Sequence, residues 1–325
     1  MANKKVLVIQ AVHEDGLNLL RARDDIETIV TQEVAQAALV DAVASVHALV
    51  VRTAVINETV IDAAPALEVV SRHGVGYDAV DVAALTRRGI PLTIATNGNA
   101  IAVAEHALYF MLALAKCGRP YDNETRAGNF AIRDKIGAFE LHGRRLLIIG
   151  FGRIGTRVAA LAQAFAMDVH VYDPYIDQAA IATAGCTAVN ELHAALPDMD
   201  VVSIHCPLTT ETRAMIDASE LRRMKANALV INCARGGIVH EQALSDAIAA
   251  GRIGGAGLDV FEGEPAHPAP GHSLFGFDNV MVTPHTAGVS LEAARRMATQ
   301  SVHNVLDTFD GKLDPDVVVN REVLG

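Results

Sequence analysis

The stretch Arg145-Leu146-Leu147-Ile148-Ile149-Gly150-Phe151-Gly152-Arg153-Ile154-Gly155 decides how the rest of the chain is read. Its apolar run predicts a buried strand, and Arg153 to Phe165 has the pattern of a helix. Between them the glycines have separate jobs. Gly150 permits a tight turn, Gly152 lets the backbone approach a pyrophosphate at the helix N-terminus, and Gly155 lets helix and strand pack closely. A bare glycine pattern is shared with purely structural turns, so the flanking strand and helix carry the specificity. The next strand ends in Val171-Tyr172-Asp173, which places an acid 18 residues beyond Gly155. A carboxylate there accepts hydrogen bonds from ribose hydroxyls and repels a 2′-phosphate, so NAD is expected rather than NADP. The alternative is that Asp173 only initiates the Asp173-Pro174 turn.

Working outward, the same strand-then-helix rhythm fills the chain. After Arg145 to Ile149, strands are expected at Asp168 to Tyr172, Val201 to Ile204, Leu229 to Ile231, Gly257 to Val260 and Val280 to Val282. Before it, short β-branched runs at Lys5 to Ile9, Ile26 to Val30, Ala48 to Val51, Leu67 to Ser71 and Pro91 to Ala95 alternate with amphipathic stretches. The fold class is therefore α/β, with two doubly wound parallel sheets. The crossing between them falls after the Asn97-Gly98 turn, where a long apolar helix, Asn99 to Lys116, begins. The amphipathic stretch Leu291 to Phe309 has no strand after it except Val317 to Val319, and is expected to return to the first sheet. That divides the chain into 1–98 with 290–325, and 99–289.

Composition narrows the function. The chain has 325 residues, 51% hydrophobic, with a net charge of −11 and a pI near 5.6. Lys and Arg are scattered, so no nucleic-acid partner is expected. Ile101 to Ala115 contains Glu105 and His106 and is shorter than the ~18–20 apolar residues of a membrane span, so no membrane is expected either. Cys117, Cys186, Cys206 and Cys233 are far apart, which suggests neither disulfides nor a zinc site. With no secretory signal read at the start, a reducing cytoplasm is the expected location.

Three candidate catalytic groups follow successive strands of the second sheet: Arg235, Glu264 and His285. In an open parallel sheet those ends share one edge, the edge that carries the glycine loop. The forked guanidinium of Arg235 suits a carboxylate and an adjacent carbonyl, and His285 is a proton donor suited to neutral pH. Glu264 bonded to the imidazole stabilises its protonated form and fixes the ring. Singly, each has a plainer alternative: a turn at Arg235-Gly236-Gly237, an exposed loop at Glu264-Pro265, and one of 13 histidines. His205-Cys206-Pro207 ends another strand on the same edge and is expected to line the cofactor. Cys206 has no nearby base that would make it a nucleophile. His106 is expected to be a satisfied structural residue, and His267 and His272 lie in a Pro/Gly-rich loop without metal-ligand partners. No metal is expected.

Taken together these residues resemble the D-2-hydroxyacid dehydrogenase family, which contains phosphoglycerate dehydrogenase, hydroxypyruvate and glyoxylate reductases, D-lactate dehydrogenase and formate dehydrogenase. The resemblance covers nearly the whole chain. It rests on Arg72 to Asp78 (Arg-His-Gly-Val-Gly-Tyr-Asp), Val103-Ala104-Glu105-His106, the glycine loop, Asn232-Cys233-Ala234-Arg235-Gly236-Gly237, Asp259 to Pro265 (Asp-Val-Phe-Glu-Gly-Glu-Pro) and Thr283-Pro284-His285-Thr286-Ala287-Gly288.

It implies a Rossmann nucleotide domain, a flavodoxin-like substrate domain, a homodimer, and Arg235, Glu264 and His285 as the catalytic trio. It further implies that the amides of Val75 and Gly76, after Gly74, bind the substrate carboxylate. Asp259 would contact the nicotinamide carboxamide, with Cys233 and Ala234 beside the cofactor. From spacing alone Gly74 and Gly76 read as a strand-end turn and Asp259 as a buried strand-end acid.

The expected substrate is a small 2-keto or 2-hydroxy acid, of the 3-phosphoglycerate or the hydroxypyruvate/glyoxylate type. Arg52 stands where the family approaches the substrate's distal end, and its alternative is a solvated strand-end arginine. Formate is not expected, because formate dehydrogenases resemble one another in a glutamine where Glu264 stands. The chain as given stops near the closing helix, so feedback through an appended regulatory domain is not expected. His240 and Val289 depart from the family pattern without touching the proposed chemistry. A second functional class is an NADH-binding co-repressor or sensor with little turnover; the absence of disordered extensions in the sequence argues against it.

Overall fold

The computed structural model describes residues 4–135, 137–264 and 268–325. Pro265 and His267 lie outside the described residues. The chain divides into two compact units, Met1–Asn99 with Val289–Gly325, and Ala100–Gly288.

In the first unit, β1 (Lys4–Ile9), β2 (Ile26–Thr31), β3 (Ala48–Val51), β4 (Val69–Arg72) and β5 (Leu92–Ile94) form a five-stranded sheet ordered β2-β1-β3-β4-β5. Every pair is parallel, and the order is that of flavodoxin-like sheets. Alternate side chains feed opposite faces. Leu7, Ile9, Leu49 and Val51 enter one core, and Val6, Val8, Ala48 and Val50 enter the other with Ala298, Val302 and Val305 of the helix Leu291–Phe309. Val302 and Val305 are fully buried, and each such side chain is worth about 1.5–3 kcal/mol. This burial draws the late helix into the first unit. The expected strand Val317 to Val319 is instead a 3₁₀ turn, Pro315–Val317, followed by a single bridge between Val318 and Thr93. Asn320, buried, accepts from the Leu92 amide at 2.8 Å and donates to the Ile90 carbonyl at 2.9 Å, so one side chain replaces a strand's hydrogen bonds.

The second unit holds β6 (Arg145–Ile149), β7 (Asp168–Tyr172), β8 (Thr187–Ala188), β9 (Val201–Ile204), β10 (Leu229–Asn232), β11 (Gly255–Leu258) and β12 (Val280–Val282). Their order is β12-β11-β10-β9-β6-β7-β8, again all parallel. Counted from β6 this is the Rossmann order with a seventh strand added, and the order reverses between β6 and β9. The helix Ala100–Ala115 packs on β10 and β11, and its Ala104, Ala107, Phe110 and Met111 are fully buried. No single helix among the described residues is long and apolar enough to cross a membrane.

Several strand ends differ from expectation by one or two residues, β4 (expected Leu67 to Ser71) among them, and β8 is an added strand. β11 begins and ends two residues before the expected Gly257–Val260. Gly255 and Gly257 lie inside it because their neighbours leave no room for a side chain: a Cβ at Gly255 would sit 2.5 Å from the Asn279 carbonyl oxygen, and one at Gly257 2.6 Å from the Phe110 ring. The helix after the glycine loop starts at Gly155, with Arg153 and Ile154 still in the turn. β8 is two residues long, too short for any periodicity to show.

Candidate active site

The glycine loop leaves β6 at the point where the strand order reverses. Gly150 has φ +95°, and a Cβ there would meet the His205 carbonyl and Cys206 amide at 2.8 Å, because the loop after β9 presses against it. A Cβ at Gly155 would lie 2.0 Å from the Gly150 carbonyl oxygen, whereas one at Gly152 would meet nothing within 4 Å. Two glycines are thus required by the protein's own packing, and the third faces open space. An open cradle of amides at a helix start fits a dinucleotide's pyrophosphate. Asp173 Oδ2 accepts from the Phe151 amide at 2.8 Å and Oδ1 from the Tyr175 amide at 2.9 Å. The Asp173 turn therefore exists, and the same carboxylate also ties the glycine loop to the end of β7. Each oxygen keeps a second lone pair, the fit a ribose diol needs.

The loop after β9 supplies His205, Cys206 and Pro207. His205 pairs with Ser203 Oγ through Nε2 at 2.8 Å, and burial drives its pKa down to about 3, leaving the ring neutral. Burial pushes the Cys206 thiol up to about 11, and burial followed by the Asp259 charge pushes Cys233 up as well. Both are neutral thiols that line the loops rather than nucleophiles.

Arg235, Glu264 and His285 follow β10, β11 and β12. The Arg235 loop is pinned by Asn232: its Nδ2 donates to the Arg235 carbonyl at 2.8 Å and its Oδ1 accepts from the Ala234 amide at 3.0 Å. Next to it, a Cβ at Gly236 would fall 1.9 Å from the Phe261 carbonyl oxygen, so the loops after β10 and β11 are in backbone contact. Glu264 Oε1 accepts from the Phe261 amide at 2.7 Å, and its Oε2 meets His285 Nδ1 in a short hydrogen bond. Burial raises the pKa of Glu264, but the His285 hydrogen bond and charge, with smaller contributions from the Phe261 amide and Arg235, outweigh it and hold the carboxyl below its usual range. With Nδ1 committed to Glu264, Nε2 is the ring position left for a reacting group.

Asp259, 1% exposed, accepts from the Thr286 amide through Oδ1 and the Ala287 amide through Oδ2, both at 2.8 Å, while its carbonyl accepts from the His285 amide at 2.8 Å. Glu241 Oε1 accepts from the Glu262 amide at 2.6 Å, and its Oε2 pairs with His272 at 2.9 Å. Asn232, Glu241 and Thr283 received no role from the sequence. The available signal was a polar residue ending or following an apolar strand, as in Leu229-Val230-Ile231-Asn232. In the first unit, half-buried Arg52 donates from Nη1 to the Ala11 carbonyl at 3.1 Å. Gly74 has φ +147°, Val75 and Gly76 follow it half-buried after β4, and the Ala95 amide donates to the Gly74 carbonyl at 2.9 Å. Among the described residues no group of His, Cys, Asp and Glu has a metal-holding arrangement.

The second unit is a dinucleotide-binding domain by its strand order, its glycine cradle and the acid after β7. Residues 108–287 match the family model for the NAD binding domain of D-isomer specific 2-hydroxyacid dehydrogenases, and the chain belongs to that family. It is 37% identical over 310 residues to a D-3-phosphoglycerate dehydrogenase of Synechocystis sp., covering 94% of this chain and 54% of that protein. It is 35% identical to a glyoxylate reductase of Pyrococcus furiosus, covering 98% of this chain and 96% of the relative. The crystal structure of D-lactate dehydrogenase from Aquifex aeolicus, complexed with NAD and lactic acid, is similar with a TM-score of 0.88 at 29% identity, covering 97% of this chain and 99% of that one. The chain spans between 54% and 61% of the length of the phosphoglycerate dehydrogenases it matches.

Proposed function

We propose that this protein is an NAD-dependent D-2-hydroxyacid dehydrogenase acting on a small 2-keto or 2-hydroxy acid of the 3-phosphoglycerate or hydroxypyruvate/glyoxylate type. The observation that carries the proposal is the short Glu264–His285 hydrogen bond on the same sheet edge as the open glycine cradle. Bound NAD(H) supplies the hydride acceptor or donor at its nicotinamide ring. Arg235 holds the substrate carboxylate and polarises the C2 carbonyl by charge-assisted hydrogen bonds. His285 Nε2 gives a proton to the C2 oxygen on reduction and takes it back on oxidation, while Glu264 on Nδ1 fixes the ring and stabilises its protonated form.

Gly150 to Gly155, with Phe151, Arg153 and Ile154, hold the pyrophosphate, and Asp173 holds the adenosine ribose. His205, Cys206, Pro207, Cys233 and Ala234 line the cofactor, and Asp259 serves the nicotinamide end. In the first unit, which this proposal makes the substrate domain, the Val75 and Gly76 amides take the carboxylate and Arg52 takes a distal phosphate or hydroxyl. The working form is a cytoplasmic homodimer, to be checked by sedimentation and by localisation of tagged protein.

The test is NADH consumption by purified protein against hydroxypyruvate, glyoxylate, pyruvate, 3-phosphohydroxypyruvate and a branched 2-keto acid, with His285→Ala as control. Turnover lost in the control by a factor of order 10² or more supports the proposal. NADH binding without turnover of any of the five acids sinks it in favour of a sensor or scaffold. Asp173→Ala is expected to narrow the NADH-over-NADPH preference about tenfold, since the repelling charge is removed.

A further inference from the structure

His106 reads from the sequence as a satisfied core residue, and the company it keeps gives it more to do. It sits half-buried on the helix Ala100–Ala115, where its Nε2 lies 3.0 Å from Thr283 Oγ1. Thr283 Oγ1 in turn lies 2.5 Å from Asp259 Oδ1. The directions of these bonds follow from the atoms available. A carboxylate only accepts, so Thr283 gives its single hydroxyl proton to Asp259. Toward His106 that oxygen is then an acceptor, and the proton must reside on Nε2 of His106. Burial lowers the pKa of His106, with the Asp259 charge opposing.

The far end of this chain is the turn that carries His285. Asp259 receives the amides of His285, Thr286 and Ala287, and His285 has φ +54°. A non-glycine residue in that left-handed region persists only where its surroundings over-determine it. The near end is rigid too. The His106 ring meets Phe110 edge-on with centroids 4.6 Å apart and Tyr109 at 5.6 Å. Phe110 fills the space that a side chain at Gly257 would need, two residues before Asp259.

We propose that His106 and Thr283 are positioning residues for the proton-transfer step: through Asp259 they hold the His285 turn in the conformation in which its imidazole meets Glu264. The inference rests on the dehydrogenase function proposed above. It differs from a packing role in requiring a donor at His106 and a hydroxyl at Thr283, not merely their bulk.

The experiment uses Thr283→Val, Thr283→Ser, His106→Phe, His106→Gln and the double variant His106→Phe/Thr283→Val in the full chain. Two readouts are taken: steady-state kinetics on whichever 2-keto acid turns over, and hydrogen exchange of the backbone amides from 285 to 287. Thr283→Val and His106→Phe, which keep shape and lose the hydrogen bond, are expected to lower kcat about tenfold with the KM for NADH within about twofold. Thr283→Ser and His106→Gln, which keep the bond, are expected to recover most of that loss. The double variant is expected within about twofold of the worse single variant, because both act through one chain. Exchange at 285 to 287 should quicken about tenfold in the variants without the bond and stay unchanged in the others.

Unchanged kcat and exchange in Thr283→Val and His106→Phe overturn the proposal. So do losses that track melting temperature and are not recovered by the Ser and Gln variants. Should His106→Phe fail to fold, the near-isosteric Thr283→Val decides alone. If the unsubstituted protein turns over none of the acids, that failure belongs to the proposed activity, and the exchange measurement still decides whether the relay holds the turn.

Discussion

The two edges of the seven-stranded sheet solve the same problem with different partners. At the N-terminal edge Asp200, 8% exposed, accepts from the Arg145 amide at 2.9 Å and from Lys225 Nζ at 3.0 Å, with Arg144 at 3.5 Å. At the C-terminal edge Glu264 accepts from the Phe261 amide and from His285. Both carboxyls are held below their usual range although burial pushes each the other way. Asp200 is paired with a lysine and an arginine, whereas Glu264 is paired with an imidazole, the side-chain type whose charge ordinarily changes near neutrality. A buried carboxylate facing fixed charges is a fastening. The same carboxylate facing an imidazole can take part in moving a proton.

The largest expected effect separates the edges outright. His285→Ala should lower kcat by a factor of order 10² or more, with the melting temperature nearly unchanged, because half of the imidazole's surface is exposed and little packing is lost. Glu264→Gln should follow at about tenfold to a hundredfold, since the amide holds the ring without favouring its protonated form. Measuring kcat and thermal unfolding on the same preparations checks both. A Glu264→Gln protein that kept full kcat would break the comparison, because Glu264 would then be a fastening like Asp200.

Next come two glycine-to-alanine changes that separate packing from ligand space within one loop. Gly152→Ala should leave unfolding untouched and raise the KM for NADH about tenfold, because its Cβ meets nothing in the protein. Gly155→Ala drives a Cβ onto the Gly150 carbonyl, and should lower stability by about 2–4 kcal/mol, an overpacking cost at its upper range. Equal behaviour of the two would mean that the open space at Gly152 is not where the cofactor lies.

The difference between the edges also explains what could be read in advance. The glycine loop was legible because a sharp turn between strand and helix leaves a mark on consecutive residues. Arg235 and His285 were legible as polar residues just past apolar strands, and parallel topology then puts those ends on one edge. Glu241 and Thr283 were not, because each acts on a segment that only the folded sheet brings near: Glu241 meets His272 across 31 residues, and Thr283 meets His106 across 177. Asn232 acts locally, on Ala234 and Arg235, through a loop conformation that leaves no mark on residue type. The boundaries of β11 were misplaced for a related reason. Gly255 looks like a strand breaker in the chain and is a strand residue in the fold, because the Asn279 backbone occupies the space its side chain would take.

The smallest effect is expected at the N-terminal edge, and its sign can be worked out. Asp200 has a folded pKa below its ordinary value of ~3.9. Such a group contributes stability that is fully present above its unfolded pKa and is lost as pH falls through the lower folded one. Wild-type stability should therefore fall with acid below about pH 4, in part because Asp200 must be protonated against the Lys225 and Arg144 charges. Asp200→Asn removes that contribution and leaves two cations short of a partner, at a cost of about 1–2 kcal/mol near pH 7, or a few degrees of melting temperature. The loss should shrink toward pH 3 as the wild-type carboxylate is neutralised, while kcat at pH 7 stays within about twofold of wild type. Melting curves from pH 3 to 7 for both proteins check the first expectation and steady-state kinetics the second. A pH-independent stability difference would mean that Asp200 acts through packing rather than charge. A large fall in kcat would mean that the two edges are coupled through the sheet, and that the division between fastening and chemistry drawn across it does not hold.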